Sequence, residues 1–347
     1  MHQQWHELTR YAVASPSPAR VRARPPTDVF TYALIRRGPR FQTGTNEYTV
    51  LRPAKPQLTY MNHGVYVVCN TATRQVFVAK RIDMQRGDTR DKAVTERDAL
   101  LQIKRFGGSN HIIDLIETFW DGTSPASSLI LEYCDHSEST VAGHMIQHLH
   151  QSSRIPEPQV WHVLAGLIKA LCFLHHGMNI DIPGDEAKRD WNTICHLNIK
   201  PSHVFLTTKG RNNAFPRVVL GDFSNSISWY DIKRGHEDRG GHMRGTPGWL
   251  PPELANPSLG DVRGRYGMPT DVWQVAAVAQ VMCRLTPEPV QWLADEKHPC
   301  GRHYSAPLNE LVSALMAGSL DRRPRAQAVL GILQEEVEMR GLSFYLR

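Results

Sequence analysis

From Tyr48 onward the chain carries short runs in which β-branched and aromatic residues alternate with polar ones. Tyr48–Leu51 predicts a strand, and Gly64–Cys69 with Gln75–Arg81, separated by the turn-like Asn70–Arg74, predicts a hairpin. The period then changes. Lys92–Phe106 places Ala93, Leu100 and Ile103 at helical spacing among charged positions, and Gly107-Gly108 ends the run. Ile112–Trp120 and Ser128–Glu132 return to strand texture. Beyond residue 133 the helical period dominates. Pro158–His175 sets Val160, Val163, Leu164, Leu167, Leu171 and Leu174 on a long helix, and Val272–Leu285 and Leu308–Met316 predict two more. A mainly β part therefore precedes a mainly helical part. This order predicts an α+β protein of two lobes, residues 47–133 and 134–340, joined by a short connection near Glu132–Asp135. Proteins of two lobes commonly take ligands in the cleft between them.

Composition adds a third region. The chain of 347 residues has 41% hydrophobic residues, ample for a core, and a net charge of +6. Most of that excess sits in residues 1–46, where seven arginines face only Glu7 and Asp28. Residues 14–26, rich in Pro, Ser, Ala and Arg, read as disordered or polyproline-like. The segment 1–46 is thus expected to be a basic, solvated, flexible tail, in preference to a nucleic-acid or acidic-membrane contact. The six cysteines are scattered and form no C-x-x-C pair, which points to a reducing intracellular compartment, cytoplasmic or nuclear, and away from secretion. No run of 18 apolar residues predicts a membrane span, and the first residues lack the apolar core of a signal peptide. Seventeen histidines show no zinc-ligand spacing, so no zinc is expected.

Four short segments then fall in order: Val76-Phe77-Val78-Ala79-Lys80, a lysine closing an apolar strand; Glu96 on the following helix; Gly221-Asp222-Phe223-Ser224 after the apolar run Val218–Leu220; and Gly245-Thr246-Pro247-Gly248-Trp249-Leu250-Pro251-Pro252-Glu253. Alone, Lys80 would read as a strand-end lysine reaching for solvent. The ordered set resembles the eukaryotic protein kinases, over roughly residues 48–335, and the last segment is most similar to the serine/threonine branch. The resemblance implies ATP and magnesium as ligands. Lys80, held by Glu96, would grip phosphates, and Asp222 would hold the bridging metal. Gly64, Val78, Leu131, Glu132 and Tyr133 would line the nucleotide. It also implies structural roles. Asp271 would hold the backbone of the catalytic loop, Glu253 would pair with Arg323, and Leu100, Phe223 and His196 would stack.

The pattern breaks where the proton is handled. The loop that should read His-Arg-Asp, followed by Lys and Asn, reads His196-Leu197-Asn198-Ile199-Lys200-Pro201-Ser202-His203. The Lys200-Pro201 pair fixes the register. Asn198 stands at the position of the base, and an amide cannot accept the hydroxyl proton, a loss worth roughly 10²- to 10⁴-fold in rate. His203 stands at the position of the metal-binding asparagine, where magnesium prefers oxygen. Leu197 replaces the arginine that receives an activation-loop phosphate. Of the glycines expected before the Val-Tyr strand only Gly64 remains, in Leu58–Tyr66, and Ser224 replaces the glycine after Asp-Phe. Between His175 and His196 lie about fourteen residues more than the family needs. They are similar to an insertion in some fungal kinase-like proteins, and they read either as a surface loop or as a partner-docking loop anchored by Trp191.

These departures leave the grip on nucleotide better preserved than the transfer step. The expected function is a pseudokinase, a scaffold or allosteric regulator that binds ATP weakly. The alternatives are a serine/threonine kinase of low or atypical activity and an interaction module that binds no nucleotide. A protein is the expected partner or substrate; nucleic acid is not.

Overall fold

The computed structural model describes residues 39–44, 46–54, 64–85, 87–120, 126–209, 215–234, 245–255 and 266–339. The basic tail up to residue 38 and the loop Leu58–His63 lie outside the described residues. The chain divides into two compact units, one built from the residues up to Arg97 with Asp114–Tyr133, the other from Asp98–Ile113 with Cys134 onward. Residues 98–113, which sequence order assigns to the smaller lobe, thus belong with the larger unit.

The first unit is a six-stranded antiparallel sheet in the order β1-β2-β3-β4-β6-β5. Its strands are β1 (Arg40–Thr43), β2 (Asn46–Pro53), β3 (Gly64–Asn70), β4 (Val76–Asp83), β5 (Leu115–Phe119) and β6 (Ala126–Glu132). Strand β1 places Arg40–Thr43, expected within the tail of residues 1–46, in the sheet; residues 1–38 of that tail lie outside the described residues. Phe41 stacks on Tyr48 at 5.7 Å, Arg81 caps the Phe41 ring at 5.1 Å, and Thr43 is fully buried. Four residues are too few to show a period, so their sequence gave no sign of this. The core of the unit is Tyr48, Val68, Ala79 and Ile130, one inward side chain from each of four adjacent strands.

Helix α1 (Gly87–Arg105) begins in the first unit and ends in the second. The second unit then runs α2 (Val141–His150), α3 (Glu157–His176), β7 (Ile194–Cys195), β8 (Val204–Thr207), β9 (Arg217–Leu220), β10 (Ile227–Ser228), α4 (Trp229–Lys233), α5 (Pro252–Ala255), α6 (Met268–Arg284), α7 (Ala306–Leu315) and α8 (Ala326–Met339). Helix α3 is buried along nearly its whole length, from Val160 to His175. A helix apolar on all sides must be central, and α3 packs against α6, α8 and β9. Strand β7 pairs with β10 and β8 with β9, so the loop between β7 and β8 and the turn after β9 are each fixed at both ends by short ladders.

Most of residues 181–190 are exposed, but Trp191 at the end of the insertion turns inward. Trp191 donates its indole N–H to the Leu174 carbonyl at 2.8 Å, and its ring meets Phe106 and Phe173 edge-on, each at 5.2 Å. This overturns Trp191 as the anchor of a partner-docking loop: an amphipathic indole with apolar rings and a carbonyl within reach packs against its own chain.

A buried ion pair ties the end of the second unit to its middle. Arg323 holds Glu253 through two bonds of 2.8 and 2.7 Å and also donates to the Pro269 carbonyl. Both side chains are almost fully enclosed. Removing one partner strands a buried charge, which costs about 3–5 kcal/mol. Arg323→Ala is therefore expected to lower unfolding free energy by that order in urea melts. The double change Glu253→Leu with Arg323→Met, which leaves no charge behind, should cost clearly less.

Candidate functional site

In the first unit Lys80 lies on β4, whose neighbours β3 and β6 place Val65 and Leu129 directly opposite it. Alternation puts Val78 on the same face as Lys80, and Leu131 faces Val78 across the ladder. Lys80 Nζ meets Glu96 Oε2 at 2.5 Å, and the Glu96 side chain is only 1% exposed. A carboxylate so enclosed is kept by its cation partner, so the pair fixes the α1 face against β4. Glu132 and Tyr133 close β6. The Glu132 amide is committed to the Asp114 carbonyl at 2.9 Å, and the Tyr133 hydroxyl accepts from Arg52 at 3.3 Å. Gly64 opens β3 at φ 117°, and a Cβ there would stand 2.7 Å from the Tyr66 hydroxyl, so the position requires glycine.

In the second unit the loop between β7 and β8 carries His196, Leu197, Asn198, Lys200 and His203. Asp271, in the first turn of α6, accepts the amides of His196 (2.9 Å) and Leu197 (2.8 Å) and lies 3.0 Å from His175 Nε2. Gln274, one turn later, accepts the Ile199 amide at 2.9 Å and donates to the Leu197 carbonyl at 3.1 Å. Those four bonds hold Leu197 at φ 60°, a conformation that costs a branched residue about 1–2 kcal/mol. The Leu197 side chain is fully buried among Cys195, Ile227, Ile232, Tyr266 and Met268. The position that would carry an arginine for a phosphate is therefore filled by an apolar cluster.

Asn198 is buried and bonded on three sides. Its amide donates to His196 Nδ1 at 3.3 Å, its carbonyl accepts from His203 Nδ1 at 2.9 Å, and its Oδ1 accepts from the Thr246 hydroxyl at 2.7 Å. Thr246 in turn accepts from Lys200 Nζ at 2.9 Å. Lys200, Thr246 and Asn198 thus form one chain of donors ending on the amide oxygen. His196 donates through Nε2 to the Gly221 carbonyl at 3.1 Å and packs on Phe223 at 4.8 Å. Leu100 is likewise buried.

Asp222 follows β9 in the left-handed conformation, φ 63°. Two of the departures noted in the sequence meet on its carboxylate. Ser224 donates to Oδ1 at 2.8 Å, and His203 Nε2 stands 3.2 Å from Oδ2. The carbonyl of Asn198 can only accept, so His203 Nδ1 carries the proton there. Burial pushes His203 down to about 3, with the nearby Asp222 charge working against the shift, so the ring is neutral near pH 7. Its Nε2 lone pair then faces the Asp222 carboxylate, two acceptors turned toward one another. A nitrogen and an oxygen so placed suit manganese or cobalt, which accept imidazole, better than magnesium. Among the described residues no group of three or more His, Cys, Asp or Glu is arranged to hold a metal ion.

Thr246 and Gln274 hold the loop by hydrogen bonds that their sequence positions alone do not reveal. Thr246 lies inside a quoted motif but carries no chemistry of its own. Gln274 is one of two buried glutamines, with Gln280, in an apolar helical run, and that anomaly was the available signal.

A sheet-borne lysine paired with a helical glutamate, followed by a strained loop and an aspartate after a hairpin, define a two-lobed α+β fold of the protein-kinase type. Residues 62–331 match the protein kinase domain, and the chain belongs to the eukaryotic protein kinase superfamily. It is 24% identical over 201 residues to the liver/testis isoform of the phosphorylase b kinase gamma catalytic chain of Mus musculus, covering 58% of this chain and 40% of that protein. It is 25% identical over 214 residues to the serine/threonine-protein kinase RUNKEL of Arabidopsis thaliana, covering 62% of this chain and 12% of that one. The chain thus spans less than half the length of these relatives.

His203 makes stability depend on pH. Its folded value lies far below the unfolded value of about 6.5, so the unfolded chain binds the extra proton first. The stability that this buried neutral ring contributes is whole above about pH 6.5 and is lost as pH falls toward 3. His203→Asn is expected to flatten the loss of unfolding free energy between pH 7.5 and 5, measured by urea melts at each pH.

Proposed function

We propose that this chain is a pseudokinase: a kinase-fold scaffold or allosteric regulator of a protein partner, which holds ATP weakly and transfers its phosphoryl group poorly or not at all. The observation that carries this reading is Asn198. The residue at the base position is neutral, and its oxygen already accepts the Thr246 hydroxyl. Phosphoryl transfer leaves little for the protein beyond positioning, charge and orientation of the nucleophile. An amide supplies none of the basicity. The nucleotide grip is better supported, since Lys80 and Glu96 are paired inside the first unit. A divalent cation at Asp222 would neutralise phosphate charge. Ser224 and His203 both engage that carboxylate, so a cation there competes with Ser224 and must accept an imidazole. The cysteines fit a reducing compartment, cytoplasmic or nuclear, because all six are free and buried and serve as small apolar side chains.

A serine/threonine kinase of low activity is the second reading. It is favoured by the Lys200–Thr246 bond, which keeps a cation beside the position of the missing base. Both relatives above are named as kinases, and RUNKEL as a serine/threonine-protein kinase; such an activity would come to this chain only through residual positioning of this kind.

Phosphotransfer to generic protein substrates separates the two. The unmodified chain is expected to show no turnover above that of Lys80→Ala. Asn198→Asp with His203→Asn should raise it measurably, by up to the roughly 10²- to 10⁴-fold that a base supplies. Ordinary kinase rates in the unmodified chain, abolished in Lys80→Ala, would sink the pseudokinase reading. In thermal-shift titrations ATP with manganese should stabilise the chain more than ATP with magnesium, and His203→Asn should reverse that order. Equal shifts with both metals before and after the substitution would count against a cation at Asp222.

A further inference from the structure

The stretch between α3 and β7 is built as a tied structure. Helix α3 ends at Gly177, φ 68°, where a Cβ would stand 3.0 Å from the Trp191 ring. The chain then turns on itself. Asp185 accepts the Asn179 amide at 2.7 Å and pairs with Lys188, whose own amide returns to the His176 carbonyl at 3.0 Å. Trp191 seals this turn against Leu174 and Phe173.

From that base the stretch reaches the end of α1 and the turn beyond it at five residues. Gln102 Nε2 donates to the Asn192 carbonyl at 2.6 Å, and the Phe106 ring lies against Trp191. Asn179 Nδ2 donates to the Gly108 carbonyl at 3.2 Å. Asp181 accepts Asn110 at 3.3 Å and stands 3.5 Å from His111, while its other oxygen holds Lys169 of α3 at 2.8 Å. Although burial alone would raise it, His111 and Lys169 hold the Asp181 carboxyl below the usual range. A tolerated surface loop needs no such set. The contacts also fall where α1 ends. Gly107 and Gly108 both sit at positive φ and close the helix, their amides returning to the Lys104 and Ile103 carbonyls at 3.1 and 3.0 Å. The strap adds side-chain contacts from outside to this capped end.

We infer that residues 177–193 are a strap that fixes the C-terminal half of α1, and with it the position of Glu96 on the same unbroken helix. Glu96 lies six residues before Gln102, about 9 Å along the axis. Trp191 and Asp181 are then positioning residues for the Lys80–Glu96 pair: they touch neither nucleotide nor metal and act through α1. The strap is built from this chain's own residues and bears on the helix that carries Glu96, in a chain where Leu197 stands at the position of the phosphate-receiving arginine. The consequence for ligand affinity rests on the nucleotide-binding reading above; the clamping of α1 does not.

Hydrogen exchange on the full chain without nucleotide tests it. Trp191→Ala is expected to speed exchange of the amides of residues 92–108 by about tenfold, the effect of losing one or two aromatic edge contacts, while α6 keeps its rates. Trp191→Phe keeps a ring between Phe106 and Phe173 and should restore most of the protection. ATP affinity should fall in the alanine variant and recover in the phenylalanine one. Unchanged exchange at 92–108 in a folded Trp191→Ala chain overturns the inference, and so does a uniform rise that includes α6. If Trp191→Ala does not fold, Asp181→Asn takes its place, and unchanged exchange at 108–113 overturns the inference equally. Loosening of 92–108 in a chain that binds no ATP in any variant upholds the strap and rejects the nucleotide reading alone.

Discussion

The buried carboxylate of Asp271 is the constraint on which the candidate site depends. It is fully enclosed at the start of α6, where the helix dipole favours a negative charge. It accepts two consecutive amides of the loop after β7 and faces His175 of α3. Hydrogen bonds to a charged acceptor are worth about 1.5–3 kcal/mol each. Together they outweigh the left-handed strain at Leu197. The strain is the point of the arrangement. With Leu197 at positive φ, the chain reverses so that the Asn198 carbonyl meets His203 and the Asn198 side chain meets Thr246. Without Asp271 two buried amides would lack an acceptor and the loop would lose its reason to turn there.

The same carboxylate sits within a longer run of polar contacts in one unit. Arg323 grips Glu253 and the Pro269 carbonyl, Glu253 accepts the Thr270 hydroxyl, and Asp271 and Gln274 follow on the same helix and hold the loop. The loop in turn places His203 beside Asp222. Every link is structural and none requires turnover. A chain can therefore keep the whole scaffold under selection for shape while the base position drifts to an amide.

The sequence shows the two-lobed α+β fold through changes of period: alternation up to residue 133, helical spacing after it. The site is legible where chemistry forces a residue type. Lys80, Glu96, Asp222, Asp271, Glu253 and Arg323 are charged residues at apolar positions or element ends, and their spacing is informative. The rest is opaque for identifiable reasons. Thr246 and Gln274 act by satisfying backbone or amide atoms contributed by residues 48 to 77 positions away, which no local pattern records. Ser224 reads as a lost glycine, but its hydroxyl turns back to Asp222. Strand β1 is too short to show a period. The direction of Trp191 depends on Phe106, 85 positions before it.

The departures from the kinase pattern are not independent losses. His203 and Ser224 engage the two oxygens of one carboxylate, and Asn198 supplies the carbonyl that sets the tautomer of His203. An asparagine at 203 would present an amide in place of a second acceptor, and a glycine at 224 would free Oδ1. Changing any one of the three alone leaves the other two in contacts that were shaped with it. The balance between them explains why restoring a carboxylate at 198 is best paired with a change at 203. An added negative charge beside a neutral imidazole whose Nδ1 proton is already committed to the 198 carbonyl would gain no proton partner from it. The loop is self-consistent as a hydrogen-bonded structure up to His203, and it leaves an imidazole nitrogen facing Asp222 where the family pattern has an amide oxygen.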